Sequence, residues 1–427
     1  MAPWTMPWSA VLRSALLWSA ALLALAGCGS RTGVLPLDVD GDPSVLVDAA
    51  PPDAPPDAPP AETPPDAPPP LPPDSPYEPV RLVAAGLFHS CAATRAGGAR
   101  CWGFNNQGQL GDGSRLTRWE PVSLGLADVV EISAGRAHGC ARTEAGVVLC
   151  WGSHLRGQVG HGRAETAALL PTPVASDARF VQLDVGADHS CAVDEVGQVH
   201  CWGDNELGQV GPEDAARFDV PTRVPLPEPA RAVSGGLRHS CALHPGGRVR
   251  CWGQASTAGR WDEDDAAPPF APALVPGLPP VVRVDSGDST SCGRTEGGEV
   301  WCWGFALAAD RVARPTPATR VEGLGPVADL SVGHEFRCAL RRDGRVLCWG
   351  NNARGQLGDG GAETDPTAFV APVGLPASRA IFAGWRHACA VDASGLVRCW
   401  GRNWEGQLGD GRGGEHRLPT VAAVFRE

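Results

Sequence analysis

Lysine is absent from the 427 residues of this chain, although arginine is common. This excludes a Schiff base on a side-chain amine and the lysine of a phosphate-binding P-loop. Tyrosine occurs once, at Tyr77 inside a proline-rich stretch, which excludes a sialidase-type tyrosine nucleophile in the repeated domain. The sequence also lacks GxSxG, HExxH and dinucleotide-binding glycine signatures. Together these absences predict that the protein is not an enzyme.

A basic stripe is also missing. The formal net charge is −12, and residues 29–79 hold ten acidic side chains against Arg31 alone. Proteins that bind nucleic acids displace counterions with clustered Lys and Arg. The charge distribution therefore predicts no nucleic-acid partner.

An apolar run at Ser14–Cys28 (SALLWSAALLALAGC) follows Arg13. A membrane-spanning helix needs about 20 apolar residues, so this shorter run is typical of a secretory signal. Its end, LAGC, resembles a bacterial lipobox, which implies that residues 1–27 are removed and Cys28 is lipidated. The alternative is an ordinary signal cleaved elsewhere, with Cys28 as a free thiol. The residue after the cysteine is Gly29, whereas Asp at this position signals retention in the inner membrane. The resemblance therefore also implies delivery to the outer membrane or cell surface.

Residues 28–79 contain the lipidated cysteine and a Pro/Asp-rich linker (DAAPPDAPPDAPPAETPPDAPPPLPPDSP). Dense proline fixes φ and removes N–H donors, so this segment is predicted to be a disordered, extended stalk. At about 3.1 Å per residue it could reach on the order of 150 Å. The stretch Asp38–Asp42 (DVDGD) resembles a calcium loop, but Pro43 and Ala49 stand where that loop requires Gly and Glu. No metal site is predicted.

One sequence unit occurs seven times in residues 80–427, with 46 to 51 residues between successive first cysteines. Segments such as VRLVAAG and ARCWG alternate apolar and polar residues at period two, and glycine-bearing turns separate them. Repeats of this length built from short strands predict an all-β, seven-bladed β-propeller. Strand-like sequences at both ends favour a blade shared by the two termini, which would close the ring and remove exposed edges.

Each unit holds two cysteines ten positions apart around a turn. A hairpin places them directly opposite each other, and the Cα separation of about 4.5 Å in a non-hydrogen-bonded pair suits a disulfide. An exported protein meets oxidising conditions, and removing Cys28 from the 15 cysteines leaves an even number. Zinc is the alternative, but a structural zinc site needs four ligands. The predicted disulfides are Cys91 with Cys101, Cys140 with Cys150, Cys191 with Cys201, Cys241 with Cys251, Cys292 with Cys302, Cys338 with Cys348, and Cys389 with Cys399.

A tryptophan follows the second cysteine of every unit, and five units carry a histidine two residues before the first. Repetition once per unit is typical of packing, so we expect the tryptophans to lie between blades and the histidines to form structural hydrogen bonds. Carbohydrate stacking is the alternative role for the tryptophans.

These features together resemble the regulator-of-chromosome-condensation repeat, most strongly at residues 101–113, 348–360 and 399–411, where CWG leads to GQLGDG. The resemblance implies a seven-bladed propeller. Units four and five depart from it, with QASTAGRWDEDD (254–265) and FALAADRVARP (305–315) in place of the polar loop. The namesake of the family is a nucleotide-exchange factor that uses an inserted wedge. The even spacing of the units leaves no room for such an insertion.

The predicted function is that of a cell-envelope lipoprotein displaying the propeller as a non-catalytic binding module for a protein or glycan. It would be a monomer without cofactors, attached to the membrane only by lipid. The alternatives are a purely structural envelope protein and, by the resemblance, an exchange-factor-like regulator or an inhibitor of a secreted enzyme. Blades one and seven are neighbours in a closed ring, so non-repeated residues on both are expected to form one exposed patch. The alternative is that these residues fill gaps between the blades. The patch residues are Phe88, Phe104, Trp385, Arg386 and Trp404.

Thiol titration tests the disulfide prediction. The mature polypeptide, denatured without reduction, should show almost none of its fourteen repeat cysteines as free thiols. Reduction before titration should release them. Recovery of most of the fourteen as free thiols without reduction would contradict the prediction.

Overall fold

A computed structural model describes the propeller region of the chain, in which every regular element is a β-strand. No helix within that part is long and apolar enough to cross a membrane. The predicted signal peptide, Cys28 and the linker lie outside the described residues. The described residues are 79–211, 215–254, 271–308, 310, 313–362 and 365–421.

The strands form seven antiparallel sheets, which confirms the predicted seven-bladed β-propeller. Each sheet is a meander in chain order, so its connections alternate between two faces of the ring. We call the face with the β1–β2 and β3–β4 type of connection the loop face, and the opposite one the turn face. Blades one to three contain β1 (Val80–Ala85), β2 (His89–Thr94), β3 (Ala99–Gly103), β4 (Arg118–Ser123), β5 (Val129–Ala134), β6 (His138–Thr143), β7 (Val148–Ser153), β8 (Ala167–Pro173), β9 (Phe180–Val185), β10 (His189–Asp194), β11 (Val199–Asp204) and β12 (Arg217–Arg223).

The remaining blades follow the same plan with a weaker fourth strand in two of them. That strand has two residues in blade four, and in blade six it is reduced to one bridge between Cys348 and Val370. Blades four to seven contain β13 (Ala232–Gly235), β14 (His239–Leu243), β15 (Val249–Gly253), β16 (Ala273–Leu274), β17 (Arg283–Ser286), β18 (Thr290–Arg294), β19 (Val300–Leu307), β20 (Ala313–Arg320), β21 (Val327–Val332), β22 (Phe336–Arg341), β23 (Val346–Gly350), β24 (Ser378–Ala383), β25 (His387–Asp392), β26 (Val397–Asn403) and β27 (Gly414–Val421).

The ring closes by contact between two complete blades, and the prediction of a shared blade was wrong. Blade one uses β1–β4 and blade seven uses β24–β27, so among the described residues neither end contributes a strand to the other's sheet. Closure comes instead from bonds across the seam: Trp385 N–H donates to the Gly86 carbonyl (3.2 Å) and Val80 N–H to the Gly395 carbonyl (3.3 Å).

Seven glycines, one at the end of the first strand of each blade, bring neighbouring blades into backbone contact around the central channel. A Cβ placed on Gly186 would lie 2.4 Å from the Gly236 carbonyl oxygen, well inside contact distance. The same clash, at 2.4 to 2.7 Å, would occur at every step around the ring. The seven residues are Gly86, Gly135, Gly186, Gly236, Gly287, Gly333 and Gly384. Glycine is therefore required by close approach.

The disulfides form as predicted, one in each blade. In every blade the two cysteines are directly opposed in the antiparallel register, as for Cys91 and Cys101. Their Cα atoms are 4.0 to 4.1 Å apart and all seven pairs are buried. Each bond closes a short loop and stabilises its hairpin by roughly 2–3 kcal/mol in the chain-entropy account.

The repeated tryptophans pack between blades, as predicted. Trp202 lies in one apolar cluster with Cys140, Cys150 and Val159 of the preceding blade. Its indole N–H donates to the Gln158 carbonyl of that blade (2.9 Å). Four more tryptophans make the equivalent bond at 2.8 to 2.9 Å; these are Trp102, Trp151, Trp252 and Trp400. Trp303 and Trp349 are also buried, and they follow the two blades that lack a GQLG or GQVG segment. Burial leaves no indole face for a carbohydrate.

The repeated histidines also join blades through hydrogen bonds. Ser190 Oγ donates to the Gln158 carbonyl (3.1 Å), so His138 Nε2–H must be the donor in its 2.9 Å bond to Ser190 Oγ. The same pairing joins His189 to Ser240, His239 to Ser291 and His387 to Ser90, at 2.7 to 2.9 Å. Ser240 and Ser90 also donate to a Gln carbonyl (2.8 and 2.9 Å), so His138, His189 and His387 are neutral, with the proton on Nε2.

At two blade interfaces the histidine and serine of the repeat are both replaced, and the two replacement residues match each other. Thr290 stands in the histidine position of blade five, and Arg337 of blade six stands in the serine position and donates to the Thr290 hydroxyl (2.7 Å). Burial lowers the Arg337 pKa to about 10. At the next interface Phe336 faces the serine position held by Ala388, and both are fully buried in one apolar cluster. The polar His–Ser pair is thus replaced by a polar pair at one interface and by an apolar pair at the other, and in both cases the two partners match each other.

Gly186→Ala should destabilise the propeller, because its new methyl group meets the Gly236 carbonyl. Overpacking of this kind costs about 1–3 kcal/mol. Gly211→Ala is the matched control, since a Cβ there meets no atom of the described residues within 4 Å. Chemical unfolding of both variants measures the difference. Equal stability of the two variants would contradict the glycine argument.

Stability should fall as pH drops below the ordinary histidine pKa of about 6.5. Burial lowers the pKa of His138, His189 and His387 to about 3, and that of His89 and His239 to about 4. Below pH 6.5 the histidines of the unfolded chain therefore bind protons, whereas those of the folded chain stay neutral. The unfolding free energy keeps falling until the pH reaches the pKa values of the folded state.

His189→Gln separates this effect from other titrating groups. The glutamine amide can still donate to Ser240, but it has no proton to take up. Between pH 6 and 4, the unfolding free energy of the variant should fall by roughly 1.4 kcal/mol less per pH unit than that of the wild type. Parallel pH profiles would show that His189 does not contribute.

Candidate binding surface

The predicted patch residues come together on the loop face at the seam of blades seven and one. Phe88 lies in the β1–β2 loop, and Trp385 and Arg386 lie in the matching loop of blade seven. Phe104 follows β3 directly and Trp404 follows β26. The meander places all these positions at one end of their strands, because each follows a first or a third strand.

Aromatic contacts form the centre of the group. The Phe88 ring meets Trp385 edge to face, with ring centroids 5.3 Å apart, and meets Phe104 at 6.2 Å in a similar geometry. Such arrangements place the positive ring edge on the negative face of its neighbour. The residues come from blades one and seven, so only ring closure creates this contact.

Arginines extend the group across the seam. Arg386 lies over Trp385, with 4.3 Å between its Cζ and the ring centroid. Arg402 connects the two halves, since its Cζ is 5.1 Å from the Phe88 ring and 5.9 Å from the Trp404 ring. Arg354 of blade six reaches the Trp404 ring at 5.6 Å. We call this set the aromatic–arginine cluster: Phe88, Phe104, Trp385, Arg386, Arg402, Trp404 and Arg354.

Sequence analysis missed Arg402 and Arg354. The available signal was their position: Arg402 follows the CWG of unit seven, and Arg354 directly precedes GQLGDG in unit six. Internal carboxylates neutralise both. Arg402 donates from Nε and Nη2 to Glu405 (3.2 and 2.6 Å), and Arg354 donates to Glu415 (2.9 Å). These ion pairs hold the guanidinium groups in place against the rings.

The patch residues differ in exposure. Trp385 is only 9% exposed, whereas Trp404 is 51% exposed. Phe88 and Phe104 are half-buried. Trp385 is covered because its loop lies at the channel mouth, where Phe88, Arg386 and His334 surround the indole. Trp404 lies on the longer outer loop and projects into solvent.

His334 borders the cluster at the channel mouth. Its ring centroid lies 5.0 Å from that of Trp385, and Nδ1 bonds to Asp288. Burial alone would lower the His334 pKa, but the hydrogen bond and charge of Asp288 outweigh it and raise the pKa above its ordinary value. The raised pKa favours the cationic form of His334 beside Trp385.

The central channel forms a cavity with a volume of about 580 Å³. The first strands of all the blades line it. Asp285 and Asp184 face it, yet both cap the next blade: Asp285 accepts from Val332 N–H (2.7 Å) and Asp184 from Gly235 N–H (3.1 Å). Burial raises the pKa of both, that of Asp285 to about 7. These carboxylates have a structural role.

No group of three or more metal-ligating side chains occurs in the described part of the chain. The aromatic–arginine cluster is made of aromatic rings and guanidinium groups, and those of Arg354 and Arg402 are ion-paired. Such side chains bind through stacking and apolar contact, and Trp and Arg are the residues that most often dominate protein interfaces.

Known proteins resemble this chain over its repeated region. One model described as the regulator of chromosome condensation (RCC1) repeat matches residues 80–109, 129–158, 180–209, 230–259, 281–305, 327–356 and 379–407. A second with the same description matches 97–142, 145–193, 196–243 and 343–391. Together they cover more than half of the chain.

Curated relatives share less than 30% sequence identity with part of this chain. The mitochondrial RCC1 domain-containing protein RUG3 of Arabidopsis thaliana is 28% identical over 53% of this chain and 29% of its own length. Human RCC1 domain-containing protein 1 is 27% identical over 33% of this chain and 35% of its own length. The matches thus span about a third of these relatives.

Solved structures share the fold. Yeast RCC1 (Prp20), in its complex with Kap60, superposes with a TM-score of 0.68 at 19% identity, covering 89% of this chain and 92% of that one. Human WBSCR16 gives a TM-score of 0.64 at 20% identity, covering 75% and 87%. With the matched repeats and the seven blades they form, this chain belongs to the RCC1-repeat family.

Proposed function

We propose that this protein is a non-catalytic, protein-binding propeller held on the cell envelope by a lipid on Cys28. The observation that carries the proposal is the aromatic–arginine cluster, with Trp404 projecting at 51% exposure while every tryptophan of the repeated set is buried. A large aromatic that the fold does not need, braced by two arginines, is typical of an interface anchor. Yeast Prp20p, whose fold is similar, has binding properties toward Gsp1p and histones, which is consistent with a protein ligand.

A protein ligand is favoured over a glycan by the cluster itself. Carbohydrates stack on open indole faces, but Trp404 has Arg354 and Arg402 within 6 Å of its ring. Trp385 has Arg386 over its ring and is buried. The remaining exposed indole surface suits insertion into a pocket on another protein.

The position of the chain entry supports display of this surface. Pro79 accepts a hydrogen bond from Arg95 N–H (2.9 Å) in the first β2–β3 turn, so the chain enters the propeller on the turn face. The cluster lies on the loop face. A tether to the membrane through residues 28–79 would therefore leave the cluster free.

The purely structural role is the second candidate. It is favoured by the seven disulfides and the buried blade interfaces, which make the domain rigid. It does not account for Trp404, because an exposed indole contributes little to folding.

Trp404→Ala tests the proposal. The unfolding free energy of the variant should stay within about 0.5 kcal/mol of the wild-type value, because truncation of a half-exposed side chain leaves no core cavity. Its binding to envelope proteins, measured by quantitative capture with the full chain, should fall at least about tenfold, as for a hot-spot residue.

Two further variants define the outcome. Val196→Ala, at a side chain 68% exposed on the turn face, should bind like the wild type. Trp385→Ala should lower stability by about 3 kcal/mol, because it opens a buried cavity. Undiminished capture by Trp404→Ala, or equal loss in Val196→Ala, would refute the cluster as the binding surface and favour the structural role.

A further inference from the structure

Blade two departs from its neighbours in the loop that follows its third strand. In blade one, Asn105 Oδ1 accepts from Leu110 N–H (3.0 Å) and its Nδ2 donates to Asp112 (3.1 Å). Blades six and seven use the same pairing, Asn352 with Asp359 and Asn403 with Asp410. In blade two both positions are histidine, His154 and His161.

The two imidazoles take over the hydrogen bonds of the loop. His154 Nδ1 accepts from Val159 N–H (3.3 Å) and His161 Nδ1 accepts from Arg163 N–H (3.1 Å). Both side chains are buried, and their ring centroids are 4.2 Å apart. Each Nδ1 must present a lone pair, so each histidine is neutral with its proton on Nε2. That tautomer leaves no lone pair on Nε2 for a metal.

Burial outweighs the charged groups around the pair. Asp219 of blade three approaches His154 Nε2 at 3.8 Å, and Glu165 approaches His161 Nε2 at 4.0 Å, both beyond hydrogen-bonding distance. The charges of these carboxylates favour protonation, those of Arg217 and Arg163 oppose it, and burial, the largest effect, lowers the pKa of both histidines. Two imidazolium ions at this separation would also repel each other.

The loop that the histidines hold connects blades two and three. Its Gln158 carbonyl accepts from Trp202 Nε1 (2.9 Å) and from Ser190 Oγ (3.1 Å) of blade three. Gly162 N–H donates to the Asp219 carbonyl (2.9 Å). Any change that releases residues 154–163 removes these bonds together.

We propose that residues 154–163 form an acid-sensitive connection between blades two and three. Protonation of His154 or His161 replaces an Nδ1 acceptor by a donor, which breaks its bond to the loop backbone and places charge in a buried site. The loop then opens while the other loops of the same type, which use Asn and Asp, stay closed.

The direction of the pH dependence follows from the folded state. Burial first, and then the neighbouring His161, lower the His154 pKa to about 4; burial also lowers that of His161. The open loop returns both histidines to an ordinary pKa of about 6.5. Opening is therefore favoured as pH falls from about 6.5 toward 4, by up to tenfold per pH unit for each histidine.

Amide hydrogen exchange of the full chain between pH 7 and pH 4.5, corrected for intrinsic rates, measures this opening. Peptides covering 154–163 should show an opening constant that rises at least about tenfold per pH unit below pH 6. Peptides covering 105–114 of blade one report any opening shared by the whole ring and should rise less. Equal slopes in the two loops would overturn the proposal, whatever any variant does.

The double variant His154→Asn/His161→Asp supplies the matched control, since it installs the residue pair of blade one. Its 154–163 loop should lose the excess pH dependence and follow the blade-one loop. An unchanged acid response in this variant would assign the opening to other groups and overturn the proposal.

Discussion

Backbone contact between the seven glycines around the channel is the constraint on which the rest of the structure depends. Each glycine Cα lies against the carbonyl of the next, including Gly384 against Gly86 across the closing seam. No other residue allows this approach, because any Cβ would meet the carbonyl oxygen. The approach sets the separation of neighbouring blades. At that separation a tryptophan reaches the Gln carbonyl of the preceding blade, and a histidine reaches the serine of the next.

The blade interface is therefore the unit in which residues are matched. Within a blade, the disulfide and the antiparallel ladder need only local sequence. Between blades, residues about fifty positions apart must match in polarity. Thr290 and Arg337 form a hydrogen-bonded pair, and Phe336 and Ala388 form an apolar one. A histidine without its serine is costly unless its partner changes too, because a buried polar group needs a hydrogen bond. His89 illustrates the cost: its serine position is Gly139, and neither ring nitrogen finds a partner among the described residues.

Repeated residues build the fold, and non-repeated residues mark the places where this chain differs from a plain repeat. The aromatic–arginine cluster and the His154–His161 pair both occupy loop-face positions that structural residues hold elsewhere. Sequence analysis located five members of the cluster, because the closed ring makes the first and last blades neighbours. It could not rank their exposure. Trp385 and Trp404 look alike as exposed loop tryptophans, yet one is covered by residues of blades six and one and the other projects.

The sequence by itself determined the number of blades, the strand order and the cysteine pairing. These follow from the period of the repeat and from hairpin geometry, both of which act over ten to fifty residues. Only the tertiary structure decided how the ring closes, which histidine tautomers are required, and which arginines brace the exposed indole. Those features depend on contacts between residues as far apart as Ser90 and His387, which come together only when the last blade meets the first.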